Sequence, residues 1–326
     1  MKSYSLRSPA KINLYLEIVG DRPDGFHELA TIFQSIDLAD IVHVRSGLQG
    51  VIRVECAAAG VPNDSTNLAY RAAALMSERF PEAFAKFGGV DIEIDKRIPV
   101  AAGLAGGSGN GAAVLVGLDL AWGLGLTQGE LQDLAAELGS DVPFCVCGGT
   151  ALATGRGEVL DPLAGVDQVW LVLAKYRSLG VSTPWAYKTY RSQFGADYAR
   201  TSEALAARHS AARSGPMVRS LQSLAAGDRS ALPNLRSLLR NDLERVVLPE
   251  HPQIAHLREV LDGLAPLGAM MSGSGPSVFA LAESEAQATE IQAAARSTLP
   301  DPDLEFWVTK FNAAGIRPVE ASQPIA

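Results

Sequence analysis

The sequence predicts an α+β protein in two domains, residues 1–163 and 164–326. Three observations carry that prediction. Apolar and polar residues alternate through the first third of the chain, with short connections that favour antiparallel pairing. Helices follow, but without the strict strand–helix repeat of a doubly wound sheet. A fresh apolar strand, VWLVLAK from Val169, then opens a second region beyond a join near residues 160–168. At 326 residues the chain can form two domains and bury a core without disulfides.

Taken in order, Ile12, Leu14, Leu16 and Ile18 alternate with Asn13, Tyr15 and Glu17, the period of a half-buried strand. DRPDG marks a turn, and separate apolar runs resume at 32–36, 41–44 and 51–54. Thr66 or Asn67 caps a helix through LAYRAAALMSE. Val90, Ile92 and Ile94 alternate with acidic residues, so that strand keeps one wet face. Next comes PVAAGLAGGSGNGAA, with five glycines and no charge, read as a loop before the apolar helix AAVLVGLDLAW. Thr127 and Glu130 form a capping box for a helix that stops near Gly139. Pro143 prevents the segment Ser140–Pro143 from simply continuing it. Beyond VWLVLAK lie helices and a polar, alanine-rich stretch at 192–232, expected to be partly mobile. A second glycine loop, MSGSGPS, precedes the strand VFALA, a helix EAQATEIQAAARS and a strand EFWVTKF. The tail RPVEASQPIA reads as disordered.

A net charge of −8 without a basic run argues against a nucleic-acid partner. A phosphate chain is still acceptable, because backbone N–H groups and a few cations suffice to hold one. Residues 98–118 are long enough to span a bilayer, but six glycines with Pro99, Ser108 and Asn110 make them too weakly apolar, so no membrane partner is expected. The N-terminus shows no secretory h-region. Cys56, Cys145 and Cys147 cannot all pair and lack metal-site spacing, so they read as buried thiols of a cytoplasmic protein.

Three phosphate-loop readings compete for the glycine stretch. A Walker A loop needs a lysine, and none occurs between Lys96 and Lys175. GSGNGA fits the dinucleotide pattern, but the strand before it alternates apolar and charged residues instead of being buried on both faces. The third reading is a loop wrapping a phosphate chain at a helix N-terminus, where glycines let the backbone approach. On the residues alone, a flexible connector or a tight packing turn fits equally well.

Three motifs in fixed order resolve the choice: SPAKINLYLEI, PVAAGLAGGSGNGAA and MSGSGPSVFAL. Together they resemble the GHMP kinase superfamily. GDRPDGFHEL and LGSDVPFCVCGGTALATGRGE are similar to its branch that phosphorylates 4-diphosphocytidyl-2-C-methyl-D-erythritol on the non-mevalonate route to isoprenoid precursors. The likeness covers most of the first 160 residues and the third motif, and is thin between about 190 and 265. Ala105 replaces a family glycine, Gly109 a serine, Gly111 an alanine and Phe26 a tyrosine. Loss of the hydroxyl at 109 is expected to weaken contacts at the phosphates.

The resemblance implies a ribosomal protein S5 domain 2-like first domain, a ferredoxin-like second domain and a site in the cleft between them. It implies ATP with Mg²⁺ as co-substrate, a cytidine diphosphate-linked methylerythritol as acceptor, and a monomer or homodimer. Asp141 takes the base position; by itself it reads rather as a helix N-cap worth about 1 kcal/mol. Lys11, otherwise a snorkelling surface lysine, would lie beside Asp141 and the reacting hydroxyl. Asn13 shares its strand face and would bind substrate. Phe26 and His27 would hold the cytosine, with Tyr187 as the opposite wall unless Trp185 or Tyr190 takes that place. ATP would be wrapped by Pro99, Val100, Ala101, Ala102, Gly103, Leu104, Ala105, Gly106, Gly107, Ser108 and Gly109, with Asn67 and Lys96 near the adenine. Ser272 to Ser277 would steady that loop. Two alternatives remain: a kinase of the same superfamily for homoserine or mevalonate, opposed by DGFHEL and GSDVPF, and an inactive nucleotide-binding relative, opposed by retention of both Lys11 and Asp141.

Overall fold

The computed structural model describes residues 2–48 and 50–319. Its first half runs β1 (Ser3–Asp21), β2 (His27–Leu48), β3 (Ile52–Cys56), α1 (Leu68–Arg79), α2 (Pro81–Phe87), β4 (Gly89–Asp95), α3 (Gly106–Trp122), α4 (Gln128–Leu138), α5 (Val142–Cys147), β5 (Thr150–Gly155) and β6 (Val159–Leu163). The second half runs β7 (Trp170–Tyr176), α6 (Thr183–Phe194), α7 (Ser202–Arg213), α8 (Pro216–Ala225), α9 (Asn234–Leu238) and β8 (Arg240–Asn241). It continues through α10 (Glu244–Glu250), α11 (Pro252–Leu264), β9 (Ala269–Met271), β10 (Val278–Ala282), α12 (Glu285–Thr298), β11 (Leu304–Lys310) and β12 (Arg317–Pro318).

Two sheets organise these elements. The larger has the order β12-β1-β2-β4-β3, with β5 and β6 added on β2 and β8 on β1; the smaller is antiparallel, β11-β7-β10-β9. The runs at 32–36 and 41–44 are one strand, not two. β2 pairs β5 through Leu29–Gln34 and β4 through Ile41–Leu48, and a register shift opposite Pro9/Ala10 turns it from one neighbour to the other. Residues 29–36 are buried on both faces whereas burial alternates from Ile41 onward, so no single period runs through the strand for sequence reading to find.

Helix α3 lies against β1 and β2, buried nearly all round among Leu6, Val42, Val44 and α1. Gly117 permits the close approach, since a Cβ there would meet Leu6 at 2.7 Å and Val44 at 2.9 Å. In the smaller sheet, Val172 and Ala174 of β7 face α11 and α12, while Leu171 and Leu173 face β1. That second face shares a core with Ala10, Ile12 and Leu14, so the two halves are joined by apolar packing beneath β1. The capping box at Thr127 and Glu130 is present, as is the Asn67 cap of α1.

Two expectations change. The glycine stretch is not all loop, because α3 begins at Gly106 and takes in Gly107, Gly109 and Gly111. Helices also occupy much of 192–232, through the end of α6, α7 and α8, in keeping with the helices read beyond VWLVLAK. Of the tail, Arg317 and Pro318 pair with β1, and residues 320–326 lie outside the described residues. No described helix is long and apolar enough to cross a membrane. All three cysteines are free.

Candidate active site

Strand alternation puts Lys11 and Asn13 on the face of β1 opposite the buried Ile12. Both are almost wholly buried, at 5% and 2% exposure, and that alone calls for partners. Lys11 Nζ donates to Asn13 Oδ1 at 2.9 Å, and Asn13 Nδ2 donates to the Thr31 hydroxyl at 2.8 Å. The ammonium lies 5.2 Å from the centre of the Phe33 ring and 3.6 Å from Asp141 Oδ2. Asp141 stands at the N-cap of α5, but its side chain caps nothing; its carboxylate is turned toward Lys11. The capping alternative therefore loses the hydrogen bond that would have defined it.

The glycine loop reaches the same place. Lys11 N–H donates to the Leu104 carbonyl at 3.1 Å, and Ile98, Ala102 and Leu104 are buried in the core below. Ala101 and Ala105 both have left-handed backbones, with φ of 51° and 56°. Ala105 is the cap of α3, and the N–H groups of the helix's first turn have no acceptor within it. The third motif packs on this loop. A Cβ on Gly103 would lie 2.6 Å from the Ser272 carbonyl oxygen, and the Ser272 hydroxyl donates to the Gly103 carbonyl at 3.3 Å.

Two cavities meet at the loop. The larger, about 600 Å³, is lined by Lys11, Asn13, Phe26, His27, Gly103, Ala105, Ser108, Asp141 and Tyr187. The smaller, about 330 Å³, is lined by Asn67, Lys96, residues 99–107 and Asn110. Gly103 and Ala105 border both. Gly109 borders neither: it faces β1, where a Cβ would meet the Ser8 hydroxyl at 2.5 Å. The expected loss of a hydroxyl at the phosphates is thus misplaced. Lys96 is committed to an ion pair with the buried Asp40, and the Asn67 amide caps α1 while donating to the Pro62 carbonyl.

At the far end of the larger cavity, the His27 and Tyr187 rings lie 5.0 Å apart. Burial, reinforced by Arg191 and opposed by Asp21, pushes the His27 imidazole below its ordinary 6.5. Its Nε2 is buried without a hydrogen-bond partner among the described residues. Burial raises the Tyr187 phenol, with Asp141 adding to it, so the hydroxyl stays protonated. Trp185 and Tyr190 do not line the cavity; Trp185 packs edge-on against His251, and the Tyr190 hydroxyl donates to Asp242 at 3.1 Å. Half-exposed Phe26 has the Arg156 guanidinium 4.9 Å from its ring centre.

Sequence reading missed the cations Arg156, Lys188 and Arg191 in this wall. Pro184, Tyr187, Lys188 and Arg191 recur at helical spacing, so the face of α6 was available as a signal once Tyr187 was chosen. Arg191 donates to Asp21 at 2.7 Å and to the Gly25 carbonyl at 3.1 Å, fixing the turn that carries Phe26 and His27.

Residues 67–149 match the model of the GHMP kinases N terminal domain and residues 220–301 that of the GHMP kinases C terminal domain. The 4-diphosphocytidyl-2-C-methyl-D-erythritol kinase of Nostoc punctiforme is 60% identical over 320 residues, covering 97% of this chain and 98% of the relative. That of Trichodesmium erythraeum is 56% identical over 317 residues, covering 97% and 99%. The chain belongs to the 4-diphosphocytidyl-2-C-methyl-D-erythritol kinase family of GHMP kinases. A crystal structure of 4-(cytidine 5'-diphospho)-2C-methyl-D-erythritol kinase superposes with a TM-score of 0.71 at 32% identity, covering 94% of this chain and 99% of that one. Homoserine kinase from Cytophaga hutchinsonii superposes as well, at 0.72 over 98% of both chains, but with 19% identity. The fold is therefore common to the superfamily, and sequence separates this family from its neighbours. The protein is an ATP-dependent small-molecule kinase with the two-domain GHMP fold.

Proposed function

We propose that the protein transfers the γ-phosphoryl group of ATP to the 2-hydroxyl of 4-diphosphocytidyl-2-C-methyl-D-erythritol. One observation carries this reading: the Lys11–Asp141 pair lies in a single cavity between the glycine loop and the aromatic pocket of Phe26, His27 and Tyr187. In it Asp141 accepts the proton of the attacking hydroxyl while the Lys11 ammonium offsets charge on the transferring group. Asn13 holds Lys11 and is available to the acceptor alcohol. The nucleoside diphosphate end has a base slot at Phe26, His27 and Tyr187, with His27 Nε2 to meet the base edge. Arg156 and Lys188 provide countercharge for the diphosphate. ATP lies along the smaller cavity with its triphosphate over the start of α3, where the helix adds about half a positive charge.

Mg²⁺ accompanies ATP in this reading, and the oxygens of Ser108 and Asp141 that line the larger cavity are the hard donors such an ion prefers. When bound, it neutralises the β- and γ-phosphate oxygens. We place the domain division at 163/164, although β8 and β12 of the second half join the first sheet. The acceptor in this reading is a small molecule, with no nucleic-acid or membrane partner, and the protein is a monomer or homodimer; the net charge of −8 without a basic run supports the exclusion of nucleic acid. Three free cysteines support a cytoplasmic location. The test is coupled ADP release with Mg·ATP and this alcohol beside homoserine and mevalonate. Turnover with either of the latter and none with the first would replace the acceptor and keep the kinase.

A further inference from the structure

We propose that Asp40 is the positioning residue of the ATP loop, acting through the two segments that enter and leave it. Asp40 lies on β2 with no solvent exposure and touches neither cavity. Its carboxylate is nonetheless filled from four sides. Oδ1 accepts from the backbone N–H of Arg97 at 2.7 Å and of Ile98 at 2.8 Å, the residues immediately before the loop. Oδ2 accepts from Asn110 Nδ2 at 2.9 Å, inside α3 just beyond the loop, and from the Lys96 ammonium. One buried anion therefore ties both ends of the segment 99–109 to a central strand of the larger sheet. No other acid side chain makes these contacts among the described residues.

The arrangement also explains the place of Lys96. A Cβ on Gly106 would lie 2.6 Å from Lys96 Nζ, so the ammonium sits directly under the first residue of α3. A cation at the positive end of a helix is unfavourable unless an anion answers it. Asp40 supplies that anion from below, which leaves the upper side of the helix end, and its N–H groups, for the phosphates. Asparagine at position 40 could still accept from the Arg97 and Ile98 N–H groups. Its amide would, however, point donors at two further donors, Lys96 Nζ and Asn110 Nδ2. The loop would lose its hold on α3, and an uncompensated charge would be left beneath it.

This inference rests on the assignment of the loop to ATP, and the experiment separates the two. Asp40→Asn, Asn110→Ala and Gly107→Asp are compared with wild type for kcat, for both KM values and for thermal melting. Gly107 borders the smaller cavity, so an acidic side chain there repels phosphate directly. The expected result is a rise in KM for ATP of about tenfold or more in Asp40→Asn, with KM for the alcohol within about twofold. Asn110→Ala is expected to show the same split more mildly, and it carries the test if Asp40→Asn does not fold. Lys96→Met is expected to make the Asp40→Asn penalty smaller in the double variant than in the single one. An unchanged KM for ATP in a folded variant, or both KM values rising together in step with a lowered melting temperature, would overturn the role of Asp40. If Gly107→Asp also leaves KM for ATP unchanged, it is the ATP assignment of the loop that fails.

Discussion

Replacing Asp141 by asparagine separates a catalytic carboxylate from a structural one, because the geometry sets very different sizes for the two effects. The carboxylate lies 3.6 Å from Lys11 Nζ and caps no helix N–H. At an effective dielectric of about 20, a pair at that distance has a Coulomb energy of about 4–5 kcal/mol. The Asp141 side chain is 34% exposed, and screening by water reduces the net contribution to stability to about 1 kcal/mol. Lys11 keeps its bond to Asn13 and its place over Phe33 in the variant. The melting temperature should therefore move by only a few degrees. A general base, in contrast, contributes about 10²–10⁴ in rate, equal to about 2.7–5.5 kcal/mol of activation free energy. Coupled ADP release measures kcat, and a thermal melt on the same preparation measures the fold. Turnover within about threefold of wild type would refute the assignment of Asp141 as base. So would a loss of rate that follows the loss of stability.

Tyr187→Ala removes one wall of the base slot and should raise KM for the cytidylyl substrate about 5- to 150-fold, leaving KM for ATP unchanged in the same assay. Because burial depresses the His27 pKa, the folded protein favours the neutral ring; its contribution to stability is complete above 6.5 and is lost as pH falls through the lower folded value. KM for the alcohol should rise in that acidic window and His27→Gln should flatten the profile, which initial rates across pH will check. Ala105→Gly relieves a left-handed alanine that costs about 1–2 kcal/mol, offset by about 0.4–1 kcal/mol of unfolded-chain entropy. Denaturant unfolding should accordingly show a small net gain in stability, and a clear loss would contradict the strain at φ 56°. Gly103→Ala should do the opposite, since φ is 71° and its Cβ would lie 2.6 and 2.9 Å from the Ser272 and Gly275 carbonyl oxygens; a lowered melting temperature with weakened ATP binding is the expected readout.

Local chemistry was legible wherever a few neighbouring residues settle it. The Thr127–Glu130 capping box, the Asn67 cap, the alternation of Lys11 and Asn13 with apolar neighbours, and the end of α4 at Gly139 with Pro143 in the first turn of α5 all follow from short-range sterics and hydrogen bonding. Motif order was enough to identify the family. What the sequence could not show depends on segments far apart in the chain. β2 looked like two strands because it exchanges one neighbour for another midway. Gly109 looked like part of the phosphate cradle until the helix was seen to begin at Gly106 and turn it toward Ser8. Lys96 lines the smaller cavity, but the carboxylate that holds it there comes from 56 positions earlier in the chain. Arg156 carries no local mark of function, Lys188 and Arg191 carry only their spacing from Tyr187, and the three meet only when the turn between β5 and β6 and helix α6 converge on one cavity. The sequence by itself determined the capped helix starts at Asn67 and Thr127 and the chemical family, because the caps rest on contacts within a few residues and the family on the order of its motifs. Only the tertiary structure decided which polar groups are used up in the scaffold and which remain to meet a substrate, because a hydrogen bond or ion pair is made by whatever folding brings within reach.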